Sequence, residues 1–349
     1  MKAEIRQQGP PQVVVLGMHR SGTSAVTRVL NMMGLWVGPP DAFPPADDAN
    51  PTGYWEYREV WALNEALLGA LGATWSTVAG LDLGRLGPLA RARFEERARS
   101  IVQQLDSGGP WVIKDPRLCV LFPLWRPALE RAVCVLIHRD PFSVALSLHG
   151  RDALPVLEGL ALWELYNRQA LAASRGLPRI LVSYRELVDD PVAAAQRLHC
   201  DLTRFGGPGT AGLTLPSAAD LKAFVTPSLD RHPRDLQRER AYLNLQQADL
   251  HRALTDGTAL DLDPVPPLSA GAQHVLAMAD TSRLRPDLER AETWLDELDG
   301  IIAAIFASRS WKLGAALTGF ARRLLGRPAD LSAAERWNRI RKEMRRWRA

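Results

Sequence analysis

Residues 13–16 of this chain read Val-Val-Val-Leu and run straight into Gly17-Met18-His19-Arg20-Ser21-Gly22-Thr23-Ser24. Three β-branched residues in a row favour a short buried strand. Gly17 and Gly22 mark a turn. From Thr23 or Ser24 onward, Val26, Val29, Leu30 and Met33 recur on one helical face, and Gly34 stops the helix. Strand, glycine turn, helix is the geometry in which successive backbone N–H groups converge at the positive end of a helix dipole, so it suits a bound anion. An ordinary strand–turn–helix at a sheet edge has the same outline. The side chains of the loop have to decide between the two.

They depart from the G-x-x-x-x-G-K-[ST] loop of nucleotide hydrolases in an informative way. Gly17 and Gly22 keep its spacing, but Thr23 stands where the lysine belongs and Ser24 follows; the strong cation has moved to Arg20, before the second glycine. The lysine and magnesium that grip the β,γ-phosphates of ATP are therefore not provided for. A cation followed by Ser-Gly-Thr suits one charged group on the 5′ end of a nucleotide.

The rest of the chain repeats the alternation of strand and helix. Trp111–Ile113 is apolar and ends in Lys114-Asp115-Pro116-Arg117; Ala132–Ile137 is a continuous apolar run ending in His138-Arg139-Asp140-Pro141; Arg179–Tyr184 is a further strand. Helical patterns fill the intervals at about 60–68, 89–105, 142–148, 154–174 and 192–198. Alternation of this kind predicts an α/β fold: a three-layer, mainly parallel sheet with a phosphate-binding loop, its charged residues at the carboxyl ends of the strands, where such sheets bind ligands. The expected domain is 11–254. A stretch rich in Asp, Pro and small residues, 255–285, reads as a linker, and 286–349 as a helical, basic extension that opens with a strong helix over Pro286–Phe306.

Charge is unevenly placed. Residues 301–349 hold twelve Arg and Lys against three Asp and Glu, a net of +9, so with 43 basic and 39 acidic residues in all, residues 1–300 carry −5. An acidic core disfavours a nucleic-acid partner. The basic segment, with Trp311, Trp337 and Trp347, suits contact with anionic lipid or an acidic glycan, or a solvated charged helix. Cys119, Cys134 and Cys200 show no metal-ligand spacing; the first two lie in apolar runs and read as buried thiols. With no apolar leader and no run of some 20 apolar residues, the expected setting is cytoplasmic, in part peripheral at a membrane.

The loop resembles the 5′-phosphosulfate loop of the sulfotransferase family, whose usual form is Pro-Lys-Ser-Gly-Thr-Thr and whose bacterial, carbohydrate-acting branch often has His-Arg-Ser-Gly-Thr-Ser. The resemblance covers roughly 11–235 and implies the co-substrate 3′-phosphoadenosine 5′-phosphosulfate (PAPS), with no metal. His19, Arg20, Ser21, Gly22, Thr23 and Ser24 would hold its 5′ end. The family's 3′-phosphate site is an Arg at a strand end and a Ser eight residues on; Arg139 and Ser147 have that spacing. Tyr184, in Tyr-Arg-Glu-Leu-Val-Asp-Asp-Pro, resembles the family's residue near the adenine, and Arg231 with His232 its late nucleotide-side loop in looser form.

For the chemistry, the resemblance implies Arg20 at the bridging oxygen and Lys114 as second cation. The small-molecule branch has a His two residues after that lysine, where this chain has Pro116; the carbohydrate branch uses a Glu after the first helix, a position Glu56 fits. His19 and Asp115 are lesser base candidates. The implied acceptor is a hydroxyl of a carbohydrate or lipid-linked glycan. A phosphate-loop kinase and a non-catalytic nucleotide-binding module stand as rivals. Ser308–Leu313, Ser-Arg-Ser-Trp-Lys-Leu, resembles short tails of bacterial glycan-assembly glycosyltransferases.

Overall fold

The computed structural model describes residues 9–39, 43, 53–226, 237, 241–324, 335–340 and 342. Its centre is a four-stranded, wholly parallel sheet of order β2-β1-β3-β4. The strands are β1 (Gln12–Leu16), β2 (Trp111–Lys114), β3 (Ala132–His138) and β4 (Arg179–Ser183). β1 lies between β2 and β3, with Val13 opposite both Val112 and Val133. The phosphate-loop geometry therefore starts from an interior strand, with the ends of β2 and β3 on either side of it.

Period-two alternation divides the core. Val13, Val15, Val112, Val133, Val135 and Ile137 pack on one face, and Val14, Leu16, Ile113, Cys134 and Leu136 on the other. The first face is covered by α1 (Thr23–Met32), α7 (Tyr184–Asp189), α8 (Pro191–Gly206) and α9 (Ala218–Phe224). The second is covered by α2 (Arg58–Ala70), α3 (Pro88–Asp106), α4 (Leu118–Trp125), α5 (Pro141–Asp152), α6 (Val156–Ala173) and α10 (Leu245–Thr255). This is the expected three-layer α/β fold. Each fully buried Val, Leu or Ile stabilises it by roughly 1.5–3 kcal/mol.

Helix starts follow their chemistry. Asp140 accepts from Ser143 N at 2.7 Å ahead of Pro141, the first residue of α5, and Asp190 accepts from Ala193 N at 3.0 Å ahead of Pro191 in α8. Tyr184 differs from the expectation: it opens α7 and does not end β4, because Ser183 caps the helix by accepting from Glu186 N.

The expected linker is packed over much of its length. Leu260, Leu262, Val265 and Leu268 lie against the core, and Ala259, Ala272 and Leu276 are buried within it. The long helix begins at Ala270, as α11 (Ala270–Ala307), with Pro286 inside it. What holds the stretch down is the buried Glu164 carboxylate of α6, which accepts from Ser269 N at 2.8 Å, Ser269 Oγ at 2.7 Å and Arg168 Nε at 2.9 Å. The sheet-bearing compact unit ends at Ala279, and from Asp280 on the chain forms a second unit, whose described residues include α12 (Arg309–Leu324). Among the described residues no helix is long and apolar enough to cross a membrane.

Candidate active site

The loop between β1 and α1 is fixed at both ends. Gly17 donates its N–H to Cys119 Sγ at 3.1 Å, and a Cβ there would stand 2.7 Å from the Ile137 carbonyl oxygen. The Cys119 thiol is pushed up to about 12 by burial, so it stays protonated and acts as a structural acceptor. Gly22 has φ +90°, and a Cβ on it would lie 2.1 Å from the Tyr184 ring. Arg20 also has a left-handed backbone, φ 67°, an uncommon state for a residue with a Cβ. Gly22 heads α1 with no side-chain cap.

Beside β3 the second cationic motif meets the loop directly. Arg139 donates from a terminal guanidinium nitrogen to the Arg20 carbonyl oxygen at 3.1 Å, and Arg20 Nε donates to Ser147 Oγ at 2.9 Å. The Arg139 guanidinium lies 4.8 Å over the centre of the Tyr184 ring. Arg139, Ser147 and Tyr184 are all buried. Trp163, in the middle of α6, donates its indole N–H to the Arg139 carbonyl oxygen at 3.0 Å and steadies the strand end. So Arg20, Gly22, Arg139, Ser147 and Tyr184, drawn from three separate stretches of chain, form one cluster.

Beside β2 lies a different set. Lys114, 1% exposed, donates from Nζ to Glu56 Oε1 at 2.8 Å and to Ser24 Oγ at 3.2 Å, and Ser24 in turn donates to the Tyr54 carbonyl oxygen at 2.9 Å. Among the described residues Glu56 Oε2 has no hydrogen-bond partner. Glu56 reaches this point because Trp55 adopts φ 55°, strain of the kind that persists where the surroundings over-determine a conformation. The Trp55 ring is held by the Arg28 guanidinium at 4.9 Å and by Phe43 at 5.8 Å.

His19 is buried in the same region, 4.5 Å from the Trp75 ring and 5.9 Å from that of Tyr166, whose hydroxyl donates to the Trp75 carbonyl oxygen at 2.6 Å. Burial, then the charges of Arg117, Arg151, Lys114 and Arg20, hold the imidazole well below its ordinary pKa. It is therefore neutral at physiological pH. Among the described residues His19 Nε2 and Ser21 Oγ are buried without a hydrogen-bond partner.

Asp115 is fully engaged, accepting from Arg117 N and its terminal nitrogen, both at 3.0 Å, and from Asn64 Nδ2 at 2.9 Å. Asn64 is anchored by Trp125 Nε1 at 2.8 Å. Asp115 thus braces the end of β2. Sequence reasoning missed this brace, the Cys119 acceptor and the Trp163 donor. Asn64, the distant donor of the brace, and Cys119 and Trp163 are ordinary helical residues whose partners lie far away in sequence, so no local signal marks them. Arg231 and His232 lie outside the described residues.

Among the described residues no group of three or more His, Cys, Asp and Glu could hold a metal ion. The sulfotransferase family model matches residues 11–203, from the start of β1 into α8. Three solved structures are similar at low identity. The sulfotransferase domain from the curacin biosynthetic pathway is 16% identical over 77% of this chain and 97% of its own, with TM-score 0.37. The sulfotransferase domain of the Synechococcus PCC 7002 olefin synthase is 17% identical over 77% and 94%, with TM-score 0.35. Sulfotransferase STF9 from Mycobacterium avium is 17% identical over 74% and 79%, with TM-score 0.39. No curated protein matches the chain.

Proposed function

The chain belongs to the sulfotransferase family, and from that premise we propose that it transfers a sulfuryl group from PAPS to a hydroxyl of a carbohydrate or lipid-linked glycan. What carries the reading is the meeting of Arg139, Arg20 and Ser147, bonded at 3.1 and 2.9 Å, since one donor with charge at both ends needs both cationic sites within its span.

The residues suit such a donor. The start of α1 offers the backbone N–H groups of Gly22 and Thr23 to a 5′ phosphosulfate, and Ser21 Oγ, buried without a hydrogen-bond partner among the described residues, offers a hydroxyl, while Ser24 lies beside them bonded to Lys114. Arg139 and Ser147 offer a guanidinium fork and a hydroxyl to a 3′-phosphate. Tyr184, with Arg139 on one side of its ring, borders the adenine position. When bound, the donor would supply an activated sulfuryl group, whose S–O bond to the 5′-phosphate oxygen breaks as the acceptor oxygen attaches, with adenosine 3′,5′-bisphosphate leaving.

Glu56 accepts the acceptor's proton through Oε2, with Oε1 kept on Lys114. Lys114 sets a buried positive charge where negative charge grows on the transferring group, and Arg20 does the same on the other side of the loop. Arg20 cannot give up a proton, so it acts through charge alone.

Thermal-shift titration tests the donor assignment. Adenosine 3′,5′-bisphosphate is expected to stabilise the protein well beyond ATP and 5′-AMP, and Arg139→Ala to abolish the preference. Equal stabilisation by ATP, or a preference that survives Arg139→Ala, would overturn it.

A further inference from the structure

The second unit carries a face that the sulfotransferase chemistry does not use. In α12, Leu313, Leu317 and Phe320 are 65, 62 and 63% exposed. Their spacing of four and three residues sets them along one side of the helix. Arg309 and Lys312 sit in its first turn with no acidic residue beside them. Cations at that end oppose the helix dipole and so cost the isolated helix stability. The helix is nonetheless well started: Ser308 accepts from Trp311 N at 3.2 Å through Oγ and from Lys312 N at 3.1 Å through its carbonyl, while Trp311 rests on Phe306 with ring centres 5.1 Å apart. A stretch of three large apolar side chains, edged by basic residues, lies open on a segment whose net charge is +9.

We propose that α12 docks on an anionic lipid bilayer, lying in the interface with Leu313, Leu317 and Phe320 in the acyl boundary and its basic residues among the phosphates. An apolar face with a basic border matches that surface in both respects. A purely charged partner such as a nucleic acid would leave the Leu and Phe side chains uncovered. A second copy would bring two strongly positive segments together, and three apolar residues over two turns are too few for a coiled-coil seam. The helix is too short and polar to span, so the contact is peripheral. The inference holds whatever the donor nucleotide is.

Co-sedimentation of the full chain with vesicles tests it, using phosphatidylcholine with and without about one-third phosphatidylglycerol. Binding is expected on the mixed vesicles, at least about tenfold weaker on phosphatidylcholine alone, and weaker in high salt. Leu317→Gln with Phe320→Gln keeps helix propensity while removing the apolar face, and should cost about tenfold or more. Lys312→Glu should cost several-fold on its own. An unchanged denaturation midpoint and far-UV circular dichroism spectrum in these variants report that the chain is folded and α12 still helical. No sedimentation with phosphatidylglycerol vesicles, equal binding to both vesicle types, or equal binding by the double variant would each overturn the proposal. So would a self-associated wild type that the double variant turns into a monomer, since the face would then belong to a second copy.

Discussion

The two flanks of the phosphate loop are held in opposite ways. On the β3 flank, Arg139 bonds to the loop's own backbone at Arg20, and Arg20 bonds across to Ser147. These residues sit on a strand end and a capped helix, so their spacing in sequence is their spacing in space. On the β2 flank, Glu56 comes from a stretch outside the sheet and is brought to Lys114 through the left-handed Trp55. Rigid elements support the side suited to grip a nucleotide. A connection from outside the sheet, left-handed at Trp55 as the loop itself is at Arg20, carries the side suited to proton transfer.

The sharpest way to break this contrast is at Lys114. Lys114→Ala removes a cation and strands Glu56, and should lower kcat about 10³-fold at saturating donor, while affinity for adenosine 3′,5′-bisphosphate changes only a few-fold. If affinity collapses instead, the flanks are not separable. Glu56→Gln should lower kcat about 10²-fold by removing the base; turnover within a few-fold of wild type at saturating PAPS would end Glu56's role. Arg139→Ala should act in the opposite sense, weakening adenosine 3′,5′-bisphosphate about 10- to 100-fold, with Arg139→Lys recovering only part because a lysine cannot present a fork over Tyr184.

Smaller effects sharpen the picture of the rigid flank. Gly22→Ala drives a Cβ into the Tyr184 ring at a left-handed position and should cost about 1–3 kcal/mol of stability, read as a lower Tm and weaker nucleotide binding. Tyr184→Ala in the same chain should relieve the clash but not the backbone strain. The least effect concerns His138, at the end of β3, whose imidazole is pushed down to about 4 by burial and by His251. The unfolded chain takes up that proton below its ordinary pKa of roughly 6.5, while the folded chain does not until about pH 4. Stability therefore falls as pH drops through that window and is untouched above it. His138→Leu should flatten the acid limb of a denaturation series and leave pH 7 unchanged.

Legibility follows the same division. The strands and the loop were readable because runs of β-branched residues, glycine spacing and strand-end charges are local signals, whereas Arg139 with Ser147 was named from the family resemblance. Lys114 and Glu56 could be named from the family resemblance, but the ion pair joining them depends on Trp55's backbone, which no pattern announces. The stretch 255–285 misled because Asp, Pro and small residues look like a linker. Its fate is decided by Glu164, a buried carboxylate more than a hundred residues earlier, which needs Ser269 as a donor. Tyr184 was misplaced by one element because Ser183 serves both as a strand residue and as a helix cap.

The burial of the Cys119 thiol against Gly17 has a practical side. Cys134 is likewise buried and pushed up to about 12, whereas Cys200, on α8, is exposed. A maleimide dye added to the native protein should attach at Cys200 alone, giving a fluorescent handle without mutagenesis, on the sheet face opposite α2 to α6.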